Sequence, residues 1–422
     1  MGIGKQNFCM GPDVGMLLAM HRYAALVGNN PNISIAELAA VFPDFERGTL
    51  YGAQMMTFTT KVDISTQMFN RLGGTVLIAK CVTEAAVTLA DIPALLKTEL
   101  AGVKGKATFG LRCVGVPTGQ VRELYKECKN SLRASGVSSR YIGNERDAAK
   151  AVQLHDEGLL DPKSGCEIVI LQDKGTLWIG RTITAQNIKA YTLRDMEKPV
   201  RDTTVGLLPP KLAQVLLNFG AFLAKATDAK PGTVTVFDPF CGTGVVPMEA
   251  MLMGMNVLAS DVAEKAVKGT EKNVEWLRKT FKIAKKDIES LVWKQDATKT
   301  FAQKEKPAMV VTEGTLGPAL KIRPTVKDAE TYCKKAEELT AAFLKNVSET
   351  LPGTPVVMTL PIWYAQKKMI HLEKLWDRLP ALKFRPVLPP HANPAVEGHF
   401  SLLYRRNDQF VGREIVLLAP VR

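Results

Sequence analysis

The segment TVTVFDPFCGTGVVPMEAMLMG, residues 233–254, decides how this chain is read. It opens with an apolar run ending in Asp238, closes with a run of helical character, and holds Pro239-Phe240-Cys241-Gly242-Thr243-Gly244 between them. Glycines between a strand and a helix let the backbone approach a ligand and aim amide hydrogens at it from a helix N-terminus. The G-x-G spacing lacks the third glycine of the dinucleotide fingerprint, and the chain has no G-x-x-x-x-G-K-[ST] run, so phosphate cradling is not the favoured reading. An adenosine-type ligand fits better. The next apolar run, NVLASD, ends in Asp261, 17 residues after Gly244, where a carboxylate can accept from both ribose hydroxyls. Asp296, in WKQDA, ends a further strand and can meet an adenine edge.

Working outward, strands and helices alternate from residue 206 to 422, which predicts a doubly wound, mostly parallel sheet. Its tail, HFSLLYRR and REIVLLAP around NDQFVG, predicts an antiparallel hairpin at the sheet edge. Upstream, strands and helices mix without a βαβ rhythm, which predicts α+β units over residues 21–85 and 86–190. In the first, Ser34 precedes Glu37 by three residues in ISIAELAAVF, a capping-box spacing that opens a helix, and GTLYGAQMMTFTT reads as one strand. Residues 191–205 are polar and aperiodic and read as a linker, and residues 1–20 read as an extension without a convincing leader-cleavage site.

Composition narrows the class. Of 422 residues, 46% are hydrophobic and 23% charged, which excludes wholesale disorder and a disulfide-dense miniature. Seven cysteines stand singly with no C-x-x-C, so neither a zinc ribbon nor a secreted framework is indicated, and a reducing cytoplasmic setting is expected. No run approaches the roughly 20 apolar residues of a membrane span, so no membrane partner is expected. The balance of 55 basic against 42 acidic residues, net +13, favours a polyanionic partner. Within residues 101–200, Arg133, Arg140, Arg146 and Lys150 cluster around a helix-to-strand passage and read as a phosphate-binding face. His391 and His399 with Glu397 match no ligand spacing and read as surface residues, so no metal is expected. Cys241 reads as a small packing residue of the loop.

DPFCGTG, followed by an acid-terminated strand and EKAVKGTEKNVEW, resembles the first motifs of Rossmann-type S-adenosylmethionine-dependent RNA methyltransferases. YAALVGNNPNISIAELAAVF, LGGTVLIAKCV and YTLRDMEKPVRDTTVGLLPPKLAQVLLNFG extend the likeness to archaeal-type tRNA (guanosine-N2) methyltransferases with an N-terminal THUMP domain. The resemblance implies a ferredoxin-like unit over 21–85, a THUMP-like RNA-binding domain over 86–190, and a methyltransferase domain over 206–422 acting on tRNA or another structured RNA. The implied cofactor is S-adenosylmethionine, held by Asp238, Pro239, Phe240, Gly242, Gly244, Asp261 and Asp296. Arg201-Asp202 and Pro209-Pro210-Lys211 match the family's linker and entry helix, which wraps the cofactor's methionine end, and add Pro210 to that set.

One motif departs. Where the family carries Asp or Asn, two prolines and an aromatic, this chain has Thr312-Glu313-Gly314-Thr315-Leu316-Gly317-Pro318. Glu313 can supply the acceptor carboxylate, and Trp363 or Tyr364, at the end of PVVMTLPIWY, the missing ring. The competing readings are an RNA-binding protein whose fourth motif has decayed, or a methyltransferase of DNA base amines. The sequence names no accessory subunit.

Overall fold

The computed structural model describes residues 20–421 apart from 84, 85, 145, 203–207, 304, 367, 407 and 408. The extension expected over residues 1–20 therefore lies, but for Met20, outside the described residues, as does the middle of the expected linker.

The N-terminal half comprises β1 (His21–Val27), α1 (Pro31–Val41), β2 (Glu46–Tyr51), β3 (Met55–Thr60), α2 (Thr66–Phe69), β4 (Thr75–Cys81), α3 (Ile92–Glu99), β5 (Ala107–Val114), α4 (Thr118–Ala134), β6 (Ser139–Tyr141), α5 (Ala151–Asp156), β7 (Gly165–Asp173) and β8 (Thr176–Ala185). Both expected α+β units contribute to one sheet, in the order β2-β3-β1-β4-β8-β7-β5-β6. The join is the antiparallel pairing of β4 with β8, Leu77 opposite Ala185. The stretch read as one strand is the hairpin β2–β3, turning at residues 52–54.

The expected capping box does not form. Pro31 opens α1, where its fixed φ and missing amide hydrogen cost nothing. Ser34 Oγ instead donates to the Gly74 carbonyl at 2.7 Å. Glu37 is 0% exposed and accepts from the amides of Gly73 and Gly74 and from Asn218 Nδ2, at 2.9, 2.7 and 2.7 Å. A local helix signal thus serves a tertiary contact.

The second half holds α6 (Ile188–Met196), α7 (Pro210–Leu223), β9 (Thr235–Asp238), α8 (Val245–Leu252), β10 (Asn256–Asp261), α9 (Glu264–Phe281), β11 (Ser290–Lys294), β12 (Met309–Thr312), α10 (Val326–Thr350), β13 (Val356–Ala365), β14 (Lys368–Ile370), α11 (Glu373–Arg378), β15 (Phe384–Val387), β16 (Ser401–Tyr404) and β17 (Val411–Pro420). The sheet runs β11-β10-β9-β12-β13-β17-β15, parallel from β11 to β13 and antiparallel thereafter. This is the expected Rossmann-like sheet. β9, β12 and β13 are buried throughout, as strands covered on both faces must be. The C-terminal hairpin pairs as expected, but β17 lies between β13 and β15 rather than at the edge.

Part of the expected linker is helical. α6 covers Ile188–Met196 because its polar residues find buried partners: Arg194 reaches Glu249 of α8 at 2.5 Å, and Tyr191 donates to Gln214 of α7 at 2.5 Å. Those partners lie far along the chain, so no periodicity announces them. The two halves meet where α1 packs on α7. Arg71 donates to Asn218 Oδ1 and to the Thr227 carbonyl, and a Cβ at Gly73 would fall 1.9 Å from the Lys211 carbonyl oxygen. Among the described residues, no helix is long and apolar enough to cross a membrane.

Candidate active site

The strand order reverses between β10-β9 and β12, which opens a crevice at the carboxyl ends of these strands. Asp238 ends β9 there, and its Oδ1 accepts from the Phe240 amide at 3.2 Å. Burial pushes its carboxyl up to about 7, opposed by a hydrogen bond from Thr312 and reinforced by the negative fields of Asp261 and Glu313.

The glycine loop turns on two left-handed residues, Gly242 (φ 53°) and Gly244 (φ 83°). Gly244 caps α8, and a Cβ there would meet Thr270 Cγ2 at 2.9 Å, whereas a Cβ at Gly242 would meet nothing within 4 Å. The loop is clamped from α9. Thr270 Oγ1 donates to the Gly242 carbonyl at 2.9 Å, and Asn273 Nδ2 donates to the carbonyls of Thr243 and Val200, each at 2.8 Å. Asn273 therefore ties the end of the linker to the loop. Asp261 closes β10 with both oxygens engaged, Oδ2 by the Gly242 amide at 3.0 Å and Oδ1 by the Ala263 amide at 2.9 Å. Each oxygen keeps a second lone pair for a hydroxyl.

These groups enclose a cavity of about 300 Å³, at the lower end of the size range for small-molecule sites. Its wall includes Asp238, Phe240, Gly242, Asp261, Lys265 and Glu313, with Arg201 and Asp202 from the linker. The carboxylates of Asp202, Asp238, Asp261 and Glu313 outnumber the cations of Arg201 and Lys265 on this wall, which favours a ligand carrying positive charge, and the placing of the last three acids at three strand ends suits an elongated one. Burial raises the Glu313 carboxyl, and the Arg413 guanidinium, bonded to it at 2.7 Å, pulls it back down.

Of the residues singled out from the sequence, Asp238, Phe240, Gly242, Asp261 and Glu313 share this cavity. Gly244 stands behind it as the helix cap, and Pro239 is buried in the loop. Pro210 begins α7 beside the contact between the two halves, outside the cavity wall. Asp296 follows Gln295, whose amide bonds the Asp261 carbonyl, but its Oδ1 is taken by the amide and hydroxyl of Thr298 and it does not line the cavity. Trp363 is 0% exposed within β13, with Gly317 packed over its ring, so it cannot offer a stacking face there. The aromatic on the wall is Phe240, half-buried, edge-on to Phe343 at 5.1 Å. Cys241 is buried in the loop with its thiol raised by desolvation, as a packing residue should be.

Arg133, Arg140, Arg146 and Lys150 are all exposed, and Arg140 pairs with Glu157 at 3.0 Å. His391 is exposed, against Phe45 of the N-terminal half, but His399 is not a surface residue: it packs on Trp376 and Glu414. Sequence reasoning missed Lys265 and Arg413, whose roles depend on pairings across the fold. It also missed a larger cleft of about 720 Å³ between the halves, bordered by Lys211, Arg405 and Arg406. The adjacent arginines following HFSLLY were the available signal.

Residues 199–311 match the family model described as UPF0020, RMKL-like, methyltransferase domain, and the match stops two residues short of Glu313, where the fourth motif departs. The chain is similar to the tRNA (guanine(10)-N2)-dimethyltransferase of Methanothermobacter thermautotrophicus, 29% identical over 167 residues, which are 39% of this chain and 42% of that protein. It is also similar to the enzyme of the same name from Pyrococcus abyssi, 32% identical over 124 residues, 29% of this chain and 34% of that one. The matched stretches thus span less than half the length of either curated relative. Among solved structures, TrmN from Thermus thermophilus aligns over 96% of this chain and 100% of its own at 16% identity with a TM-score of 0.46. The glycine loop, Asp238 and Asp261 accordingly lie within residues 199–311, the stretch that matches the RMKL-like methyltransferase domain model.

Proposed function

We propose that the chain transfers a methyl group from S-adenosylmethionine to the exocyclic N2 amine of a guanosine in tRNA. The observation that carries this reading is the convergence of Asp238, Asp261 and Glu313 on one cavity at the ends of β9, β10 and β12. Relatives named for this reaction on tRNA support the substrate. The residues present fit the cofactor: Asp261 suits ribose hydroxyls, Asp238 the charged methionine end, and Phe240 an apolar flank. When bound, S-adenosylmethionine supplies an electrophilic methyl group on a sulfonium.

Glu313 carries the demand peculiar to this reaction. A guanine amine is a poor nucleophile because its lone pair is delocalised into the ring, so it must be oriented and its proton accepted. Glu313 accepts a hydrogen bond from the amine and takes the proton released as the new N–C bond forms, while Arg413 holds the carboxylate in place. The target base must leave its stack to arrive there. Arg133, Arg140, Arg146 and Lys150 form the RNA-holding face of the THUMP-like arm, over residues 86–190.

The test is incubation of the purified chain with methyl-labelled cofactor and bulk tRNA, followed by mass spectrometry of the nucleosides. Label in N2-methylated guanosine is expected. Binding of cofactor and tRNA without transfer would establish the non-catalytic RNA-binding reading, and transfer to duplex DNA in preference to tRNA would establish the third.

A further inference from the structure

His371 follows β14, His399 ends the loop before β16, and Glu414 lies in β17. Their side chains are 8%, 11% and 0% exposed. His399 Nδ1 stands 2.6 Å from Glu414 Oε1, which also accepts from Ser401 Oγ at 2.6 Å. On the other side, His371 Nδ1 faces Glu414 Oε2 at 3.6 Å, too far for a hydrogen bond. Both of those atoms are buried without a hydrogen-bond partner among the described residues. An unpartnered imidazole nitrogen opposite an unpartnered carboxylate oxygen is an expensive arrangement to bury unless something joins them.

We infer that His371, His399 and Glu414 form a binding site for one borderline-soft divalent cation of the zinc class. One ligand atom from each residue lies within 4.8 Å of the other two. Two imidazoles and one carboxylate suit zinc, whereas magnesium and calcium seek oxygen-rich shells. In a tetrahedral zinc site, neighbouring ligand atoms stand roughly 3.3 Å apart. The His371–Glu414 pair already has nearly that spacing. The His399–Glu414 pair must open by roughly 0.7 Å, exchanging its shared proton for the metal. Trp376, stacked on the His399 ring at 4.3 Å, closes one side, and Cys333 Sγ fixes the His371 carbonyl at 3.0 Å.

The metal would hold together three segments that the backbone joins only distantly. The loop that His399 ends also reaches the N-terminal half, where Asn393 and Asn32 exchange two hydrogen bonds of 2.7 and 2.9 Å. A cation at His399 therefore anchors the far end of a segment bridging the two halves.

The test uses the full chain without a histidine tag, stripped with a chelator and titrated with zinc chloride and, separately, cobalt chloride. One equivalent of zinc per chain is expected, with visible cobalt bands of a four-coordinate ion and a zinc-dependent rise in unfolding temperature. His371→Ala and His399→Ala, each checked for folding by circular dichroism, should weaken zinc binding more than roughly 100-fold, since even outer-shell changes cost 10–100-fold. Absence of stoichiometric binding in the wild-type chain overturns the inference, as does binding that survives both substitutions. Loss of zinc binding in a folded His371→Ala chain, with His399, Ser401 and Glu414 still in place, distinguishes a metal site from a cluster held by hydrogen bonds alone.

Discussion

Arg413 Nε donates to Glu313 Oε1 across 2.7 Å, joining a buried residue of β17 to the acid that follows β12 at the cavity wall. The bond sets where the carboxylate points and offsets part of the rise that burial imposes on its carboxyl. Glu313→Gln keeps the shape and loses the proton acceptor, so methyl transfer should fall by about 10²-fold or more while cofactor affinity stays nearly constant. Arg413→Met should cost roughly 1–3 kcal/mol of stability through the carboxylate it leaves behind, and should lower transfer as well. Single-turnover transfer and urea unfolding on the two variants check both statements.

The raised Asp238 carboxyl gives the site a pH dependence with a definite sign. Its folded value of about 7 lies above the unfolded one, so its contribution to stability is fully present below roughly pH 4 and is lost as pH rises through 7. A cationic ligand draws the opposite way, because it favours the ionised form. Affinity for S-adenosylmethionine should therefore climb by up to about tenfold per pH unit below 7 and level off above it. Asp238→Asn should flatten both profiles, measured by urea unfolding and by calorimetry across the same pH range.

What the sequence disclosed of this site follows from how local its signals are. The glycine loop and Asp261 were legible because a strand end, a tight turn and a helix start occupy adjacent residues, and turn chemistry is a property of such neighbours. Ser34 and Glu37 show the converse: their spacing is that of a capping box, yet Glu37 is used by Gly73, Gly74 and Asn218, which no window around α1 contains. Trp363 was misplaced because an aromatic near a strand end reads alike whether it faces a crevice or a core, and β13 is buried on both faces. His371, His399 and Glu414 are 28 and 15 residues apart in sequence, so only the pairing of β16 and β17 with their neighbours brings them together.

The contact between the two halves rests on a glycine. A Cβ at Gly73 would lie 1.9 Å from the carbonyl oxygen of Lys211, and both are backbone positions with little freedom to retreat. Gly73→Ala should separate α7 from the N-terminal sheet and disturb the Glu37 bonds with it, while leaving the glycine loop alone. The expected result is cofactor affinity close to wild type, tRNA binding weakened, and a lower unfolding temperature.

The proposed RNA binding separates the two basic surfaces most sharply. Contacts to phosphate release counterions, so each lost contact should reduce the slope of log affinity against log salt by about 0.7–0.9. Arg133 stands exposed in the last turn of α4, whereas Arg140 shares its charge with Glu157. Arg133→Ala should therefore flatten the slope more than Arg140→Ala does, and the double variant should exceed either. Lys211, Arg405 and Arg406 border the cleft between the halves, so Arg405→Ala with Arg406→Ala supplies a comparison from the other basic surface. Filter binding of tRNA over a range of salt concentrations, with cofactor affinity measured in parallel, decides which face the backbone follows. A slope unchanged by the Arg133 and Arg140 substitutions but reduced by those at Arg405 and Arg406 would move the proposed RNA contact from residues 133–150 into the cleft.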